Sequence, residues 1–506
     1  MSLKAAIFST TSFVFLATSS AADVTAKEIW DDWKSYMSAF GYSVDAEEVI
    51  SGNTLTVNDV TMRVPMPDGA GSFAMSMSTI DFVENGDGTV NVVFPEVTPM
   101  QFAAKGPEGE AVSGSLEYTI KGMEMRASGD PSKMIYDHTA EQMSITLRTL
   151  TVDGETLPEG ALKAALTVND TSGQSVMEPG ALRKISQNMR AGETNYQINF
   201  QDPDSSDGMV FNGVIETMRF SGDTSIPLSV DPENVASALR DGMSIVGGFS
   251  YTGSSTEFSV TDDSDTMGGS VGAASSEVQV RLNKDLLEYK GGSKDARFNI
   301  VGGSVPLPIV AEFGEVAFNL LMPVAKSESA SDFAFGLTLG NFETSDALWA
   351  MLDSANVLPR DPATISLDLT GKAKMLVDFF DPEQMSAVED GEAMPAELQA
   401  LTLNKLLISA VGATLSGTGD FTFDNSDTES FDGFPKPTGG IDLSLIGGNG
   451  LMDKLVQMGL LPQEQAMGAR MMMGLFARPG EGEDSLTSKI EINAEGHILA
   501  NGQRIR

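Results

Sequence analysis

The sequence predicts a mainly β fold with several short helices, an α+β chain on one large antiparallel meander sheet. That sheet is expected to be curved or groove-forming, with helices packed on it. The first observation behind this is a period of two. Met143, Ile145 and Leu147 alternate with polar residues, as do Tyr196, Ile198 and Phe200. Val278, Val280 and Leu282 follow the rule, as do Ile365, Leu367 and Leu369, and Ile441, Leu443 and Leu445. Alternation of this kind marks strands with one wet face and one buried face. The second is that helical spacing is confined to a few short stretches. The third is size: 506 residues with 41% apolar content can bury a large core.

Residues 1–22 have the make-up of a secretory signal. Lys4 precedes an apolar run around Ile7, Phe8, Phe13, Val14, Phe15 and Leu16. Ser19, Ser20, Ala21 and Ala22 then offer small residues, with cleavage after Ala21 or Ala22. The run is shorter than the roughly 20 apolar residues that cross a bilayer. The expectation is export to the periplasm, with no transmembrane segment after cleavage.

Residues 23–506 are expected to form one β-rich region. Thr25 and Glu28 have capping-box spacing, and Ile29, Trp30, Trp33, Met37 and Phe40 recur at helical spacing up to Gly41. This predicts a first helix docked on a core by its aromatic stripe. Leu55 and Val57 change parity to Val60, Met62 and Val64, which predicts a bulge near Asn58 and Asp59. Ile80 and Phe82 face Val90, Val92 and Phe94 across Asn85-Gly86-Asp87-Gly88, a hairpin signal.

A phrase recurs: Leu55-Thr56-Val57-Asn58-Asp59, Leu150-Thr151-Val152-Asp153-Gly154, Leu166-Thr167-Val168-Asn169-Asp170 and Leu401-Thr402-Leu403-Asn404. Its irregular spacing argues against a solenoid, and it reads as the chemistry of strand ends. Asp231-Pro232-Glu233 opens a helix stopped by Gly242, the best place for a division into subdomains 23–230 and 231–506. Ser345 caps another, with Leu348, Trp349 and Leu352 on one face, and 451–458 and 463–476 form a helical pair around Pro462. Loops are expected at 261–276, 326–331, 383–395 and 425–440.

Composition excludes several chemistries. With no cysteine, thiolate catalysis, Cys-zinc sites and iron–sulfur clusters are ruled out. A net charge of −39, from 71 acidic and 32 basic residues, repels nucleic acid and anionic headgroups. The acids are spread over the whole length, which favours a role in solubility over a dedicated cation surface.

Candidate sites are few. Gly268-Gly269-Ser270-Val271-Gly272 matches a nucleophile elbow, but that chemistry needs a strand before the serine and a helix after it. Here a Gly/Ser/Asp stretch surrounds it, and His497 is the sole downstream histidine. His138 and His497 each lack metal-ligand spacing. Asp202, Asp204 and Asp207, and separately Asp262, Asp263 and Asp265, look like calcium loops without the closing Glu. Gly447-Gly448-Asn449-Gly450 lacks the Lys-Ser/Thr of a phosphate loop. No catalytic, cofactor-binding or metal residue is assigned, and no cofactor is expected. Among the 28 methionines, Met467, Met471 and Met472, with Leu475, gather in one helix. They fit core packing, or an apolar groove that accommodates lipid tails.

The segment with Trp349, Leu358-Pro359-Arg360-Asp361-Pro362-Ala363 and Leu367-Asp368-Leu369-Thr370-Gly371 is the most distinctive of the chain. Together with Trp30-Asp31-Asp32-Trp33-Lys34, Glu495-Gly496-His497 and Asn501-Gly502, it resembles the α-proteobacterial family of exported proteins known as domain of unknown function 2125. The family-like residues are Trp30, Trp33, Trp349, Pro359, Arg360, Pro362 and Gly371. That family has no assigned activity, so the resemblance carries over no functional residue. The layout is also similar to AsmA-like and YdgA-like envelope proteins, which implies a long β-rich structure and, for some, a part in lipid traffic.

The function expected is that of an exported, non-enzymatic periplasmic protein, with lipid or another apolar ligand in a β-sheet groove. One alternative is an acidic envelope scaffold that meets another envelope protein. Another is a carboxylate- or serine-based hydrolase.

Overall fold

The structure, a computed structural model, describes residues 23–39, 41–65, 71–105, 109–230, 235–263, 265–303 and 305–506. The signal reading of residues 1–22, with cleavage at Ala21 or Ala22, lies outside the described residues, as does the helix start at 231–234.

The described strands form a single antiparallel ladder. It begins at the strand Ser43–Ser51, paired with Thr54–Pro65, and ends at Gln503–Arg504, paired with Ile498–Ala500. Between these ends, successive strands lie beside one another. Where two short strands share a place, they line up end to end against one long strand. Leu182–Ala191 and Thr194–Gln201 both pair with Gly208–Pro227 in this way. No pairing among the described residues joins the two ends, so the sheet is open. The first edge strand carries Asp45, Glu47 and Glu48, charges that discourage edge-to-edge association.

Six helices lie among the described residues: α1 (Ala26–Ala39), α2 (Val235–Arg240), α3 (Asp346–Leu352), α4 (Pro382–Glu389), α5 (Gly448–Gln457) and α6 (Gln463–Phe476). None is long and apolar enough to cross a membrane. The capping box of α1 forms: Thr25 N donates to Glu28 Oε2 at 2.9 Å, and Glu28 N to Thr25 Oγ1 at 3.3 Å. Ile29 and Trp30 are fully buried against Leu55, Val57, Ile80, Phe82 and Val92, the main core of the protein. Trp33 stacks on Phe94 at 6.0 Å. Ser345 caps α3 as expected, accepting from Leu348 N.

Four expectations are corrected. Residues 261–276 are not a loop. The chain turns tightly after Asp262, and Asp265–Leu282 is a full strand between Ser244–Asp262 and Leu286–Gly302. Its glycines and serines mislead because small side chains are tolerated in a strand flanked on both sides. Residues 383–395 contain most of α4, which Asp381 caps and Pro382 opens, so the acidic stretch is helical up to Glu389. The expected loop at 425–440 ends early, because Lys436–Ile446 is a strand. Finally, α2 does not divide the sheet. Gly208–Pro227 and Ser244–Asp262 pair along their whole lengths on either side of it, from Gly208↔Thr261 to Ser225↔Ser244.

Candidate functional site

Directly opposed residues on neighbouring strands share a face of a sheet. One row therefore runs Met189, Phe220, Phe249, Val278, Gly291, Phe318, Leu337, Leu367, Leu406, Gly417, Leu443. A parallel row runs Val280, Tyr289, Leu320, Phe335, Leu369, Leu403, Gly419, Ile441, Ile490. The opposite face is polar. Its row is Arg219, Ser250, Glu277, Gly292, Ala317, Thr338, Ser366. The sheet is thus amphipathic across its breadth. The alternating stretches read from the sequence, such as Val278–Leu282 and Ile365–Leu369, are short samples of one continuous face.

A regular strand keeps its apolar residues on one face by strict alternation, but these strands of 17 to 20 residues do not alternate strictly. Near mid-strand the parity of the apolar residues changes, where the pairing is interrupted. In Leu286–Gly302, Tyr289 and Gly291 give way to Ala296, Phe298 and Ile300 across Lys294-Asp295. In Ser244–Asp262, Phe249 and Tyr251 give way to Thr256 and Phe258 across Thr252-Gly253. The swaps fall opposite one another. The pairing is interrupted there on each strand in turn: Glu216 and Gly253 are left out between the two strands that carry them, as are Gly253 and Ala274, Ala274 and Asp295, Asp295 and Gly314, and Gly314 and Asn341.

Many of these positions are left-handed: Asp59 (φ 51°), Asp170 (49°), Gly253 (55°), Asp295 (50°) and Asn341 (54°). Asp, Asn and Gly are the residues that tolerate this conformation. The bulge expected at Asn58 and Asp59 is the first of the series, with a register shift between Asp45 and Glu47 on the neighbouring strand. A bulge bends its strand. At the later positions, from Gly253 to Asn341, the register is the same on both sides, and Lys294 pairs with Glu315 beside them at 2.6 Å. These irregularities align into a crease across the sheet. The recurring phrase of the sequence is partly this crease. Asn58-Asp59 and Asn169-Asp170 lie mid-strand and are not strand ends, whereas Asp153-Gly154 is a true turn.

One end of the apolar face is closed. α1 lies over it, and its Asp32 forms a buried pair with Arg183. Beyond the strand Gly208–Pro227 no layer of the described residues covers it. Phe335 is 43% exposed and Ile365 47%. From that strand to Ser485–Ile492 the ladder crosses ten spacings of about 4.8 Å, roughly 48 Å. That exceeds the ~30 Å hydrocarbon core of a bilayer. Few polar groups interrupt this face. Tyr196 Oη and Thr256 Oγ1 bond each other at 2.5 Å, as do Ser276 and Ser293 at 2.6 Å. His138 sits half-buried between Met125 and Gly173 with Nδ1 unpartnered, and burial pulls its pKa down.

The remaining candidates are placed as follows. Ser270 lies mid-strand between Glu257 and Asn299, with no helix after it, so the elbow geometry is absent. His497 sits at a turn, its N–H bonded to Asn493 Oδ1 at 2.9 Å. The two acidic segments meet at neighbouring hairpin tips, with carboxylates of Asp207, Asp262 and Asp263 within 4.8 Å of one another. Asp263 N also bonds Asp207 Oδ1 at 2.9 Å. These are largely solvated turns.

Met467, Met471, Met472 and Leu475 lie neither in the core nor on the sheet face. They are exposed on α6, so the core-packing expectation is corrected. Trp30 and Trp33 belong to the core under α1. Trp349 lies 5.7 Å from the Arg360 guanidinium, and Arg360 pairs with Asp346 at 2.5 Å. Pro359 packs beside Gly412, and Pro362 precedes the strand Ala363–Met375. Gly371 lies on the apolar face under the ring of Phe333. These roles are structural.

The depressions between strands, such as the one of about 510 Å3 around Arg219, Ser250 and Glu277, are shallow and open and carry both polar and apolar lining residues. The chain matches no described protein family and no curated protein.

Proposed function

We propose that the protein is an exported, periplasmic, non-enzymatic carrier that holds lipid acyl chains along the apolar face of its sheet. The observation that carries this reading is the unbroken row from Met189 to Leu443. It is apolar, longer than a lipid and, among the described residues, uncovered beyond α1. A soluble protein rarely exposes contiguous apolar area of this extent without something to cover it. Acyl chains suit it because they need no fixed polar partners, and the face offers few. The net charge of −39 favours zwitterionic or neutral lipids over anionic ones.

Native mass spectrometry and lipid extraction of the gently purified protein test the reading. Bound lipid in the wild type, lost in the double variant Phe335→Asp, Leu367→Asp, would support it. A lipid-free wild type that also takes up no fluorescent fatty acid would overturn it. Salt-sensitive capture of a basic envelope protein by lipid-free material would favour the scaffold alternative instead.

A further inference from the structure

The helix α6 has a second apolar surface, separate from the sheet. Met467, Met471 and Leu475 recur at four-residue spacing, which stacks them on one helix face. They are 68%, 67% and 64% exposed. A side chain placed on Gly468 or Gly474, on the same side, would meet no atom within 4 Å. The opposite side of the helix is the docked one, with Ala466 buried and Arg470 paired with Asp453 at 2.5 Å. Between residues 465 and 477 Arg470 is the sole charge, so this stripe is neutral in a strongly acidic protein.

We propose that α6 is a membrane-docking element whose Met467–Met471–Leu475 face seats in a zwitterionic bilayer surface. Charge and area choose the occupant. A second copy of this chain would bring another strongly negative field, and an anionic membrane would repel the acidic body around the helix. A stable protein partner needs roughly 800 Å2 from each side, more than a stripe this narrow offers. A bilayer interface needs only an apolar helix face to enter the headgroup boundary. Flexible methionines suit a fluid surface. The helix pair α5 and α6 is inserted between the strands Lys436–Ile446 and Ser485–Ile492, which end the apolar face of the sheet. Docking there would bring that end of the sheet to the membrane.

Flotation of the whole exported chain with phosphatidylcholine vesicles tests this. Wild-type protein is expected to float with them, and less with the same vesicles doped with phosphatidylglycerol. Met467→Glu and Met471→Glu should each lower the bound fraction roughly tenfold or more, while Met471→Leu should retain binding. Unchanged thermal unfolding of the Glu variants would show that they remain folded. The idea is overturned if wild type does not float with phosphatidylcholine. It is equally overturned if the Glu variants float as well as wild type, or if they abolish a dimer in lipid-free solution instead. Lipid carried by the sheet is measured separately by extraction. A Met471→Glu protein that keeps its lipid but loses vesicle binding would separate docking from cargo.

Discussion

Arg183 and Asp32 form a two-pronged ion pair, with Nη2 to Oδ1 at 2.6 Å and Nη1 to Oδ2 at 2.7 Å. The residues are 151 positions apart, and their side chains are 7% and 6% exposed. The guanidinium also lies 5.5 Å from the ring of Tyr36. The pair joins α1 to the strand Leu182–Ala191, so it fixes the helix across one end of the apolar face. Lys27 and Lys34 add exposed bonds to Glu48 on the edge strand, at 2.7 and 2.6 Å.

Removing one partner of a buried pair leaves an uncompensated charge and costs about 3–5 kcal/mol. Asp32→Ala is therefore expected to lower stability by about that amount in urea unfolding, and to raise hydrogen exchange in α1 first. The double change Asp32→Leu, Arg183→Met should recover much of the loss, because apolar replacements of a buried pair are often neutral. Equal destabilisation by the single and double variants would show that the pair itself is not what holds α1.

The crease makes a backbone prediction. Asp295 adopts φ 50°, where side chains beyond Asn, Asp and Gly cost roughly 1–2 kcal/mol. Asp295→Val should destabilise by at least that much, whereas Asp295→Gly should stay within about 1 kcal/mol of wild type. Parallel changes at Asp170, with φ 49°, should follow the same order. Thermal or urea unfolding of the four variants checks this. If Val and Gly behave alike, the left-handed positions do not hold the crease.

Much of the sheet was legible in the sequence because alternation is local. Val278–Leu282 and Ile365–Leu369 each announce a strand without knowledge of a partner. Cap chemistry was local too, so Thr25 with Glu28 and Ser345 read correctly. What stayed hidden depends on registration between strands. Asn169-Asp170 reads as a turn until Gln142 and Ala140 on one side show the ladder continuing past it. The 261–276 stretch reads as a loop because glycine and serine carry no periodic signal of their own. The amphipathic face needs each strand's parity change to fall opposite its neighbour's, and no window of one strand contains that. Arg183 with Asp32 was invisible for the same reason.

His138 predicts a pH response. Burial on the apolar face disfavours its charged form and lowers its pKa, although neighbouring Asp137 opposes the shift. The unfolded chain, with an ordinary histidine pKa near ~6.5, then binds more protons than the folded one. Stability from this residue is unaffected above about pH 7.5. It declines as pH falls through ~6.5 and levels off below the folded pKa. The difference in unfolding free energy between wild type and His138→Leu should therefore shift against wild type between pH 7.5 and 5.5. A constant difference across that range would show that His138 is not held neutral.

The apolar face itself can be tested through stability rather than cargo. A ligand that binds only the folded state raises its stability by RT ln(1 + [L]/Kd). Protein carrying its lipid should thus melt above protein stripped of it, and re-addition of a neutral phospholipid should restore the difference. Phe335 and Leu337 are uncovered, so Phe335→Ser should change the melting of stripped protein little compared with a core change such as Phe82→Ser. The latter removes a fully buried ring packed against Trp30 and Trp33 at 6.0 and 5.4 Å. In lipid-loaded protein the Phe335→Ser variant should lose most of the lipid-dependent rise. If stripped and loaded proteins melt together, or if Phe335→Ser destabilises both as much as Phe82→Ser does, the face works as core and not as a surface for cargo.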